Sequence, residues 1–306
     1  MDKVGTIVSE EKKGMLAAGV AYGIFGLSYL FSKMALEITD PMILLCVRFS
    51  VTLVVLNLLV LTKVLKLNLK GKKLLAPILL GVLQPVLYFF LENYGLSYTT
   101  TSFTGMISAL CPVFTTVLGA IFLKEMPNRK QWLCICISIA GVLMVTMKVS
   151  SGENTMLGCA CLLLAYFTGS FYSLLVRKLS KDFSAFELTY IMFTVGFVFF
   201  LVFAFVQYGG ETVSLLTDAL SHRDFVIAAL YLGGLSSVGA YMLANYSLAK
   251  LPVARQSIFQ NMSTVVSVLA GVIIMGDEFT WLNLFAFALI LAGVWGVNTV
   301  GSADSQ

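Results

Sequence analysis

Two stretches of this chain, residues 93–125 and 245–278, repeat one another, and this repetition restricts the possible folds more than any other feature. Most identities fall at a constant offset of 152 positions, and one inserted residue brings Glu125 onto Glu278. A chain that repeats itself over half of its length consists of two copies of one structural unit. The identical pairs are Asn93/Asn245, Tyr94/Tyr246, Leu96/Leu248, Val113/Val265, Gly119/Gly271 and Ile121/Ile273.

The composition indicates that both copies lie in a membrane. Apolar residues make up 58% of the chain and charged residues only 12%, whereas soluble proteins carry about 25% charged residues. A chain with so little charge cannot cover its apolar surface in water. The polar start, residues 1–13, lacks the apolar core and small-residue cleavage site of a signal peptide, so the first apolar run is expected to remain as a helix.

Apolar runs long enough to cross a membrane occupy nearly the whole chain. A helix of about 20 apolar residues spans the hydrocarbon layer. The predicted spans are 15–36, 41–62, 75–96, 101–123, 131–148, 156–176, 186–207, 225–248, 254–275 and 281–300, with sizeable breaks only at 63–73 and 208–224. The predicted fold is an all-α membrane protein with ten transmembrane helices, arranged as two inverted five-helix repeats.

The predicted boundaries and orientation follow from the repeat and the charges. Residues 15–150 form the first repeat and 151–300 the second, flanked by cytoplasmic segments 1–14 and 301–306. With both termini in the cytoplasm, the inner side carries all of the 20 basic residues except Lys33, Arg48, Lys148 and Arg223, as the positive-inside rule requires. The predicted location is the plasma (inner) membrane.

The first halves of the copies also match, at an offset of 144. Ala21, Tyr22, Leu30 and Lys33 correspond to Ala165, Tyr166, Leu174 and Arg177. Five helices per copy is an odd number, so the second copy enters the membrane from the opposite side. Inverted repeats of this kind place the substrate site of secondary transporters near the membrane midplane, at the interface between the copies.

Several motifs in this order resemble the EamA branch of the drug/metabolite transporter superfamily. They are Y-G-I-F-G-L-S-Y-L-F-S-K-M-A-L at 22–36, R-F at 48–49, E-N-Y-G-L-S-Y-T-T at 92–100, C-P-V-F-T-T at 111–116, L-K-E at 123–125, and A-G-V at 140–142 and 292–294. The resemblance implies ten helices in two inverted halves that move small metabolites, often outward. The chain departs from the family where a tryptophan commonly precedes the first glycine, because Tyr22 stands there.

Prolines predict bends in two of the spans. Gln84-Pro85 and Cys111-Pro112 lie in the middle of the third and fourth spans, and proline removes a backbone hydrogen bond from a helix. Their counterparts in the second copy are Ser236-Ser237 and Ser263-Thr264. Bends at corresponding positions of both copies predict a cavity between the third, fourth, eighth and ninth spans, although each proline alone is also compatible with an ordinary packing kink.

Polar side chains within these spans are the candidate substrate-binding residues, since polar groups in a membrane must face protein or water. Pairs four residues apart share one helix face. The alternative is that Ser, Thr and Asn only join helices to one another. The predicted lining is Tyr22, Tyr88, Glu92, Thr104, Ser108, Tyr166, Tyr241, Asn245, Gln256 and Gln260. The repeat-related Tyr22 and Tyr166 are predicted to gate the pathway or to stack on the solute. The alternative is that these two tyrosines belong to the aromatic belt at the membrane interface.

Three charged residues fall in the outer third of the first three spans. A lone charge in a helix centre costs roughly 3 kcal/mol, so pairing of Glu92 with Lys33 or Arg48 is the predicted structural arrangement. Alternatively, Glu92 carries a proton or binds a substrate amine. The basic candidates Lys33, Arg48, Arg177 and Arg255 are expected towards helix ends, which argues against phosphorylated sugars and sugar nucleotides as substrates.

The sequence therefore predicts a secondary transporter that exports an amino acid or similar amphipathic solute by alternating access. The expected partners are a small-molecule solute and membrane lipid but no nucleic acid; proton coupling and the choice between monomer and homodimer stay open. No enzyme is expected, because the chain has no H-E-x-x-H, no G-x-S-x-G, no Walker motif and a single histidine, His222; no cofactor or metal is expected either. The alternatives are a non-transporting scaffold or sensor, and an importer of an organic amine or nucleoside-like solute.

Overall fold

The chain folds into helices in the computed structural model, which describes residues 2–123, 128–146, 154–251, 256 and 259–303 and contains no β-strand among them. The α-helices of this described part are α1 (Asp2–Leu36), α2 (Pro41–Leu61), α3 (Leu75–Gly81), α4 (Tyr88–Ser97), α5 (Thr101–Ser108), α6 (Cys111–Leu123), α7 (Arg129–Thr146), α8 (Met156–Leu179), α9 (Ala185–Tyr208), α10 (Thr212–Ser221), α11 (Arg223–Leu230), α12 (Tyr241–Lys250), α13 (Gln260–Ala270) and α14 (Trp281–Ala303). Wider π-helical turns occupy Tyr231–Ala240 and Gly271–Met275, a kink at Val82–Leu87 joins α3 to α4, and a 3₁₀ turn occupies Gly209–Glu211.

Eight helical stretches of the described chain are long and apolar enough to cross a membrane. They are Glu10–Leu36, Pro41–Leu61, Leu75–Ser97, Thr101–Phe122, Arg129–Thr146, Met156–Leu179, Ala185–Ser221 and Arg223–Lys250. Two shorter apolar helices, Gln260–Met275 and Trp281–Gly296, lie where the ninth and tenth spans are predicted. The chain is therefore an all-helical, multi-pass membrane protein, and the count of ten crossings stays a prediction.

Large apolar side chains point outward from the bundle, as a lipid environment requires. Leu16, Val206 and Trp281 are 71%, 76% and 86% exposed. Soluble monomers rarely expose contiguous apolar patches of great size. Because lipid tails are as apolar as these side chains, the helices are held together by close packing and interhelical hydrogen bonds, with little help from the hydrophobic effect.

Capping side chains explain where several helices begin. Asp40 accepts a hydrogen bond of 2.8 Å from the backbone N–H two residues further on, at the start of α2. Thr100 and Thr155 cap α5 and α8 in a similar way. Ser184 and Glu187 form a reciprocal capping box at the start of α9. Each cap satisfies an N–H group that has no partner inside its own helix.

The bends predicted at both prolines are confirmed. Gln84 has extended backbone angles, φ −148° and ψ 117°, so the third span breaks directly before Pro85. In the fourth span α5 ends at Ser108 and α6 begins at Cys111, immediately before Pro112. These breaks separate a short helix from a longer one within each span.

The serine counterparts in the second copy behave differently from each other. Ser236 and Ser237 lie inside the π-helical turn Tyr231–Ala240, where the helix is widened. Ser263 and Thr264 lie inside α13, which is uninterrupted. The prediction of a bend at Ser263-Thr264 is therefore wrong. The helix continues because neither residue lacks the backbone N–H that a proline would remove.

The break predicted at 208–224 contains a helix of its own. α10 fills most of it, and Ala219 of α10 is buried in an apolar cluster with residues of α2 and α11. The hydroxyl of Thr212 donates to the carbonyls of Ala204 and Gly209 at 3.2 and 2.9 Å. The connection is thus folded onto the bundle and does not extend from it.

The helices of one copy pack mainly against helices of the other. α1 lies against α12 and α13, α4 against α8, α2 against α9, and α7 along α14. Gly81 and Gly233, which are repeat-related, both lie so close to a helix of the other copy that a side chain has no room. Their nearest neighbours are Met192 and Val195 for Gly81, and Arg48 and Val51 for Gly233. These neighbours are themselves related by the offset of 144, so the same close contact occurs twice.

Candidate functional site

A cavity with about 770 Å³ of empty volume, including space open to solvent, lies between the two copies. Most of its lining residues form pairs at the repeat offsets of 144 or 152. Eight such pairs line it: Phe25/Gly169, Ser28/Tyr172, Tyr29/Ser173, Gln84/Ser236, Phe89/Tyr241, Glu92/Ala244, Ser108/Gln260 and Cys111/Ser263. The cavity is therefore built from the same positions of both copies.

The helix breaks bring several of these side chains to the cavity. Gln84, at the break before Pro85, donates from its side-chain amide to the hydroxyl of Tyr241 in the second copy. The ring of Tyr241 also contacts the rings of Phe25 and Phe89, with centroids 4.9 and 6.0 Å apart. An aromatic cluster with a few polar groups thus joins the third and eighth spans across the cavity.

Arg48 is the basic group of the cavity wall, although it is only 1% exposed. Its Nε donates to Ser237 Oγ at 3.0 Å and its Nη2 to Ser236 Oγ at 3.4 Å. The guanidinium carbon lies 4.1 Å from the ring centre of Phe89, a cation–π contact. Arg48 lies seven residues, or about 10 Å of helix, from the start of α2 at Pro41, and its side chain reaches the cavity wall.

Glu92 is the acidic group of the same cavity and is 5% exposed. Its Oε1 accepts a hydrogen bond from the hydroxyl of Tyr88, one turn earlier on α4, at 2.5 Å. Among the ion pairs that join two described residues, none joins Glu92 to Lys33 or Arg48. The predicted direct pairing is therefore corrected: serine hydroxyls and an aromatic ring hold Arg48, and a tyrosine hydroxyl holds Glu92.

Of the ten predicted lining residues, six line the cavity: Tyr22, Tyr88, Glu92, Ser108, Tyr241 and Gln260. The hydroxyl of Tyr22 accepts hydrogen bonds from the Gln256 and Gln260 side chains at 2.8 and 3.2 Å. Ser108 shares a hydrogen bond of 3.2 Å with Thr264 of the other copy. Substrate contact by these residues stays a prediction.

The other four predicted residues, Thr104, Tyr166, Asn245 and Gln256, are buried behind the lining. Asn245 accepts from the Tyr172 hydroxyl at 2.7 Å and donates to Thr189 Oγ1 at 3.0 Å. The Tyr166 hydroxyl donates to the carbonyl of Thr104 at 3.3 Å. Helical spacing identifies a polar face but not its depth, so a supporting residue and a lining residue look alike in the sequence.

Sequence reasoning missed Tyr29, Gln84 and Tyr172 as lining residues. In the sequence, Gln84 stands out only as the residue before a proline. Tyr172 corresponds to Ser28 at the offset of 144, and Tyr29 to Ser173, so the repeat-related partner of each is polar. Carrying every polar position of one copy onto the other would have found both tyrosines.

Charged side chains join helices at one end of the bundle. Glu10 Oε2 lies 2.8 Å from the Nζ of Lys250, and Glu10 Oε1 lies 2.9 Å from the Nζ of Lys13. Arg177 donates to the carbonyls of Leu248 and Ala249, both at 2.9 Å. These contacts tie α1 and α8 to the carboxyl end of α12.

At the opposite end, Lys33 donates to the carbonyls of Leu96 and Thr99 at 3.2 and 2.6 Å. Lys33 lies 23 residues, or about 34 Å of continuous helix, from Glu10. Lys33 and Arg177 are repeat-related. Each donates to carbonyl groups at the carboxyl end of the third span of its own copy, which ends with α4 for Lys33 and with α12 for Arg177. Basic side chains are favoured there because the last carbonyls of a helix lack partners within the helix.

A helix bundle with an outer apolar surface and a polar and aromatic cavity between two related copies is the architecture of a membrane transporter. The model of the EamA-like transporter family matches residues 12–147 and 156–299, so the chain belongs to this family. No group of three or more His, Cys, Asp or Glu residues suited to a metal ion occurs in the described part of the chain.

Relatives among known proteins are also named as transporters. The chain is 34% identical over 296 residues to the uncharacterized transporter YcxC of Bacillus subtilis (strain 168), covering 95% of both chains. It is 26% identical to the chloroplastic phosphoenolpyruvate/phosphate translocator 1 of Oryza sativa subsp. japonica, covering 93% of this chain and 73% of that protein. A crystal structure 13% identical in sequence superposes with a TM-score of 0.62, covering 96% of this chain and 99% of the other, which shows a shared fold alone.

Proposed function

We propose that this protein is a secondary transporter that exports an amino acid or similar amphipathic solute by alternating access through the cavity between its two copies. The observation that carries the proposal is the pairing of cavity positions, because eight lining positions of one copy recur in the other. A site on the axis that relates two inverted copies can be opened to either side of the membrane by corresponding movements of the two copies.

The chemistry of the lining supports an amphipathic solute. Aromatic rings such as Phe25, Tyr29 and Tyr172 surround polar groups that include Gln84 and Gln260. Small-molecule sites combine an apolar lining with a few polar groups that orient the ligand. The outward direction is proposed from the family resemblance, in which small metabolites often leave the cell.

Flux through proteoliposomes tests this proposal with two glycine variants. Gly169 lines the cavity, and a Cβ there lies 3.0 Å from the Tyr88 ring; Gly119 has no neighbour within 4 Å of an added Cβ. Liposomes loaded with a labelled amino-acid mixture should lose label through the parent and through Gly119→Leu. Gly169→Leu, which fills the cavity, should release label at less than a tenth of that rate.

Absence of flux of any solute through the folded parent would support the scaffold or sensor alternative. Equal flux through Gly169→Leu and Gly119→Leu would mean that the solute does not use this cavity. The direction is measured separately in cells, where expression should lower the internal amount of an exported solute and raise that of an imported one.

The proposed topology has ten membrane crossings, with the two copies inverted relative to each other. The protein lies in the plasma membrane, and both termini face the cytoplasm. Lys70 and Asp218 are exposed residues on opposite sides in this arrangement. In a background without the six native cysteines, a cysteine at position 218 should react with an impermeant thiol reagent in intact cells. A cysteine at position 70 should react only after the membrane is permeabilised. Labelling of this cysteine in intact cells would contradict the proposed orientation.

A second candidate substrate class is an organic phosphate, which one relative's name and one residue favour. That relative is named as a phosphoenolpyruvate/phosphate translocator, and Arg48 is a donor suited to phosphate or carboxylate. Glu92 in the same cavity opposes a doubly charged anion by repulsion. Phosphoenolpyruvate and an amino acid compared as competitors of labelled efflux distinguish the two classes, and the proposal requires that the amino acid competes better.

A further inference from the structure

The two buried charges of the cavity, Arg48 and Glu92, both belong to the first copy. The equivalent positions of the second copy are Met192 and Ala244. A pair of charges that only balanced each other would form a direct ion pair in so buried a place, because a separated buried charge is costly. Here each charge has a neutral protein partner, and both line the same cavity.

Arg48 is held in a fixed orientation with part of its guanidinium unused. Nε donates to Ser237, Nη2 donates to Ser236, and the guanidinium carbon lies over the Phe89 ring. Nη1 makes no hydrogen bond to the described residues. A guanidinium presents planar, paired N–H donors that match a carboxylate. A prearranged donor with free N–H groups facing a cavity is suited to bind an anion.

Glu92 has the complementary arrangement. One carboxylate oxygen, Oε1, accepts from the Tyr88 hydroxyl at 2.5 Å, and the other accepts no hydrogen bond from the described residues. The free oxygen is an acceptor for a cationic donor such as an ammonium group. Tyr88 fixes the direction of the carboxylate because its hydroxyl comes from the preceding turn of the same helix.

The spacing of the two groups suits one small molecule. The Arg48 guanidinium carbon lies 4.1 Å from the centre of the Phe89 ring. Glu92 follows Phe89 by three residues on α4, which is about 4.5 Å of helix. An anion-binding group from α2 and a cation-binding group from α4 therefore both lie near Phe89 in the lining of one cavity.

Resting on the proposed function, we propose that the cavity selects zwitterions, with Arg48 binding the carboxylate of the solute and Glu92 binding its ammonium group. The remainder of the solute lies among the aromatic rings of Phe25, Tyr29 and Tyr172, which favour an apolar side chain. The two residues are specificity-determining because a solute that lacks one charge leaves the opposite protein charge buried and unpaired.

Matched probes test this selection on the purified full-length protein in detergent. L-Leucine carries both charges, isoamylamine lacks the carboxylate, and 4-methylpentanoate lacks the amine; L-phenylalanine, phenethylamine and 3-phenylpropanoate form a second set. Binding is measured as a dissociation constant and as the rise in the thermal unfolding midpoint. The parent should bind each zwitterion at least about ten-fold more tightly than either of its singly charged counterparts, since a charged hydrogen bond contributes about one to two powers of ten in affinity.

The variants should give crossed results. Glu92→Gln should weaken L-leucine and isoamylamine about ten-fold or more and leave 4-methylpentanoate unchanged. Arg48→Met should weaken L-leucine and 4-methylpentanoate and leave isoamylamine unchanged. Gln260→Ala, a neutral change in the same cavity, should affect all three probes to a similar and smaller extent. If Arg48→Met does not fold, Arg48→Lys keeps the charge but loses the planar fork, and should weaken only the probes with a carboxylate.

Uniform weakening of the three probes by Glu92→Gln would overturn the inference, since a merely structural carboxylate gives that pattern. So would equal affinity of the parent for zwitterionic and singly charged probes, or failure of all six probes to bind. In each of these cases, saturable flux of another solute through liposomes, blocked by Gly169→Leu, would leave the proposed transport function intact.

Discussion

The two halves of the cavity wall occupy equivalent positions in the chain but carry different chemistry. The first copy contributes a guanidinium and a carboxylate, Arg48 and Glu92, whereas the second copy has Met192 and Ala244 at these positions. Met192 is fully buried among aromatic residues. Duplication thus explains where the cavity lies, and divergence between the copies explains its charge.

Contacts to the main chain have diverged much less than contacts between side chains. Lys33 and Arg177 are different residues, yet each donates to carbonyl groups at the end of a helix in corresponding parts of the two copies. Backbone carbonyls are present whatever the sequence, so such a contact survives substitution. Asn245, in contrast, binds Tyr172 and Thr189, whereas its counterpart Asn93 donates to the carbonyl of Phe89.

The largest expected effect comes from breaking the close helix contact that occurs in both copies. Gly81→Leu and Gly233→Leu should each destabilise the protein by about 3 kcal/mol or more, because even a Cβ lies 2.9 Å from Val195 and 2.7 Å from the Arg48 carbonyl. Folded yield and the apparent thermal unfolding midpoint in detergent measure this. Gly119→Leu is the matched control and should fold like the parent, since an added Cβ there has no neighbour within 4 Å. A large loss at only one of the two glycines would show that the copies pack differently.

A second prediction separates the lining from the layer behind it. Asn245→Ala should lower the free energy of unfolding by about 2 kcal/mol, because it removes two buried hydrogen bonds. Gln260→Ala should leave stability nearly unchanged, since Tyr22 keeps its bond to Gln256, but should weaken solute binding several-fold, about 1 kcal/mol.

Thermal unfolding with and without a bound amino acid distinguishes these two effects. The free protein should unfold earlier only for Asn245→Ala, and the ligand-induced rise should shrink for Gln260→Ala. The reverse result would exchange the roles of the two residues and contradict the assignment of the cavity wall.

The smallest expected effect concerns the two ends of the bundle. Lys33→Met and Arg177→Met should each cost about 1 kcal/mol of stability, because each leaves carbonyl groups at a helix end without that donor. Lys178→Met removes a neighbouring exposed charge and should change the unfolding midpoint by less than either. Similar losses at both ends would support equivalent roles of the repeat-related cations, and no loss at either would refute the capping role.

Much of the fold is readable from the sequence because its causes are local. The breaks before Pro85 and at Cys111-Pro112 follow from a missing backbone donor. The docking of a helix in the segment 208–224 is not readable from the sequence, since the burial of Ala219 against other helices is a tertiary contact. Six of the predicted lining residues reach the cavity because polar groups in membrane helices avoid lipid.

By itself the sequence determined the membrane setting, the two copies and the general place of the cavity, because composition, repetition and proline position each act within one stretch of chain. Only the tertiary structure decided that Arg48 lines the cavity, that Glu92 is bound to Tyr88, and that Asn245 lies behind the wall. Depth within a helix bundle and choice of partner depend on how far neighbouring helices approach, which is set by packing between residues far apart in the chain.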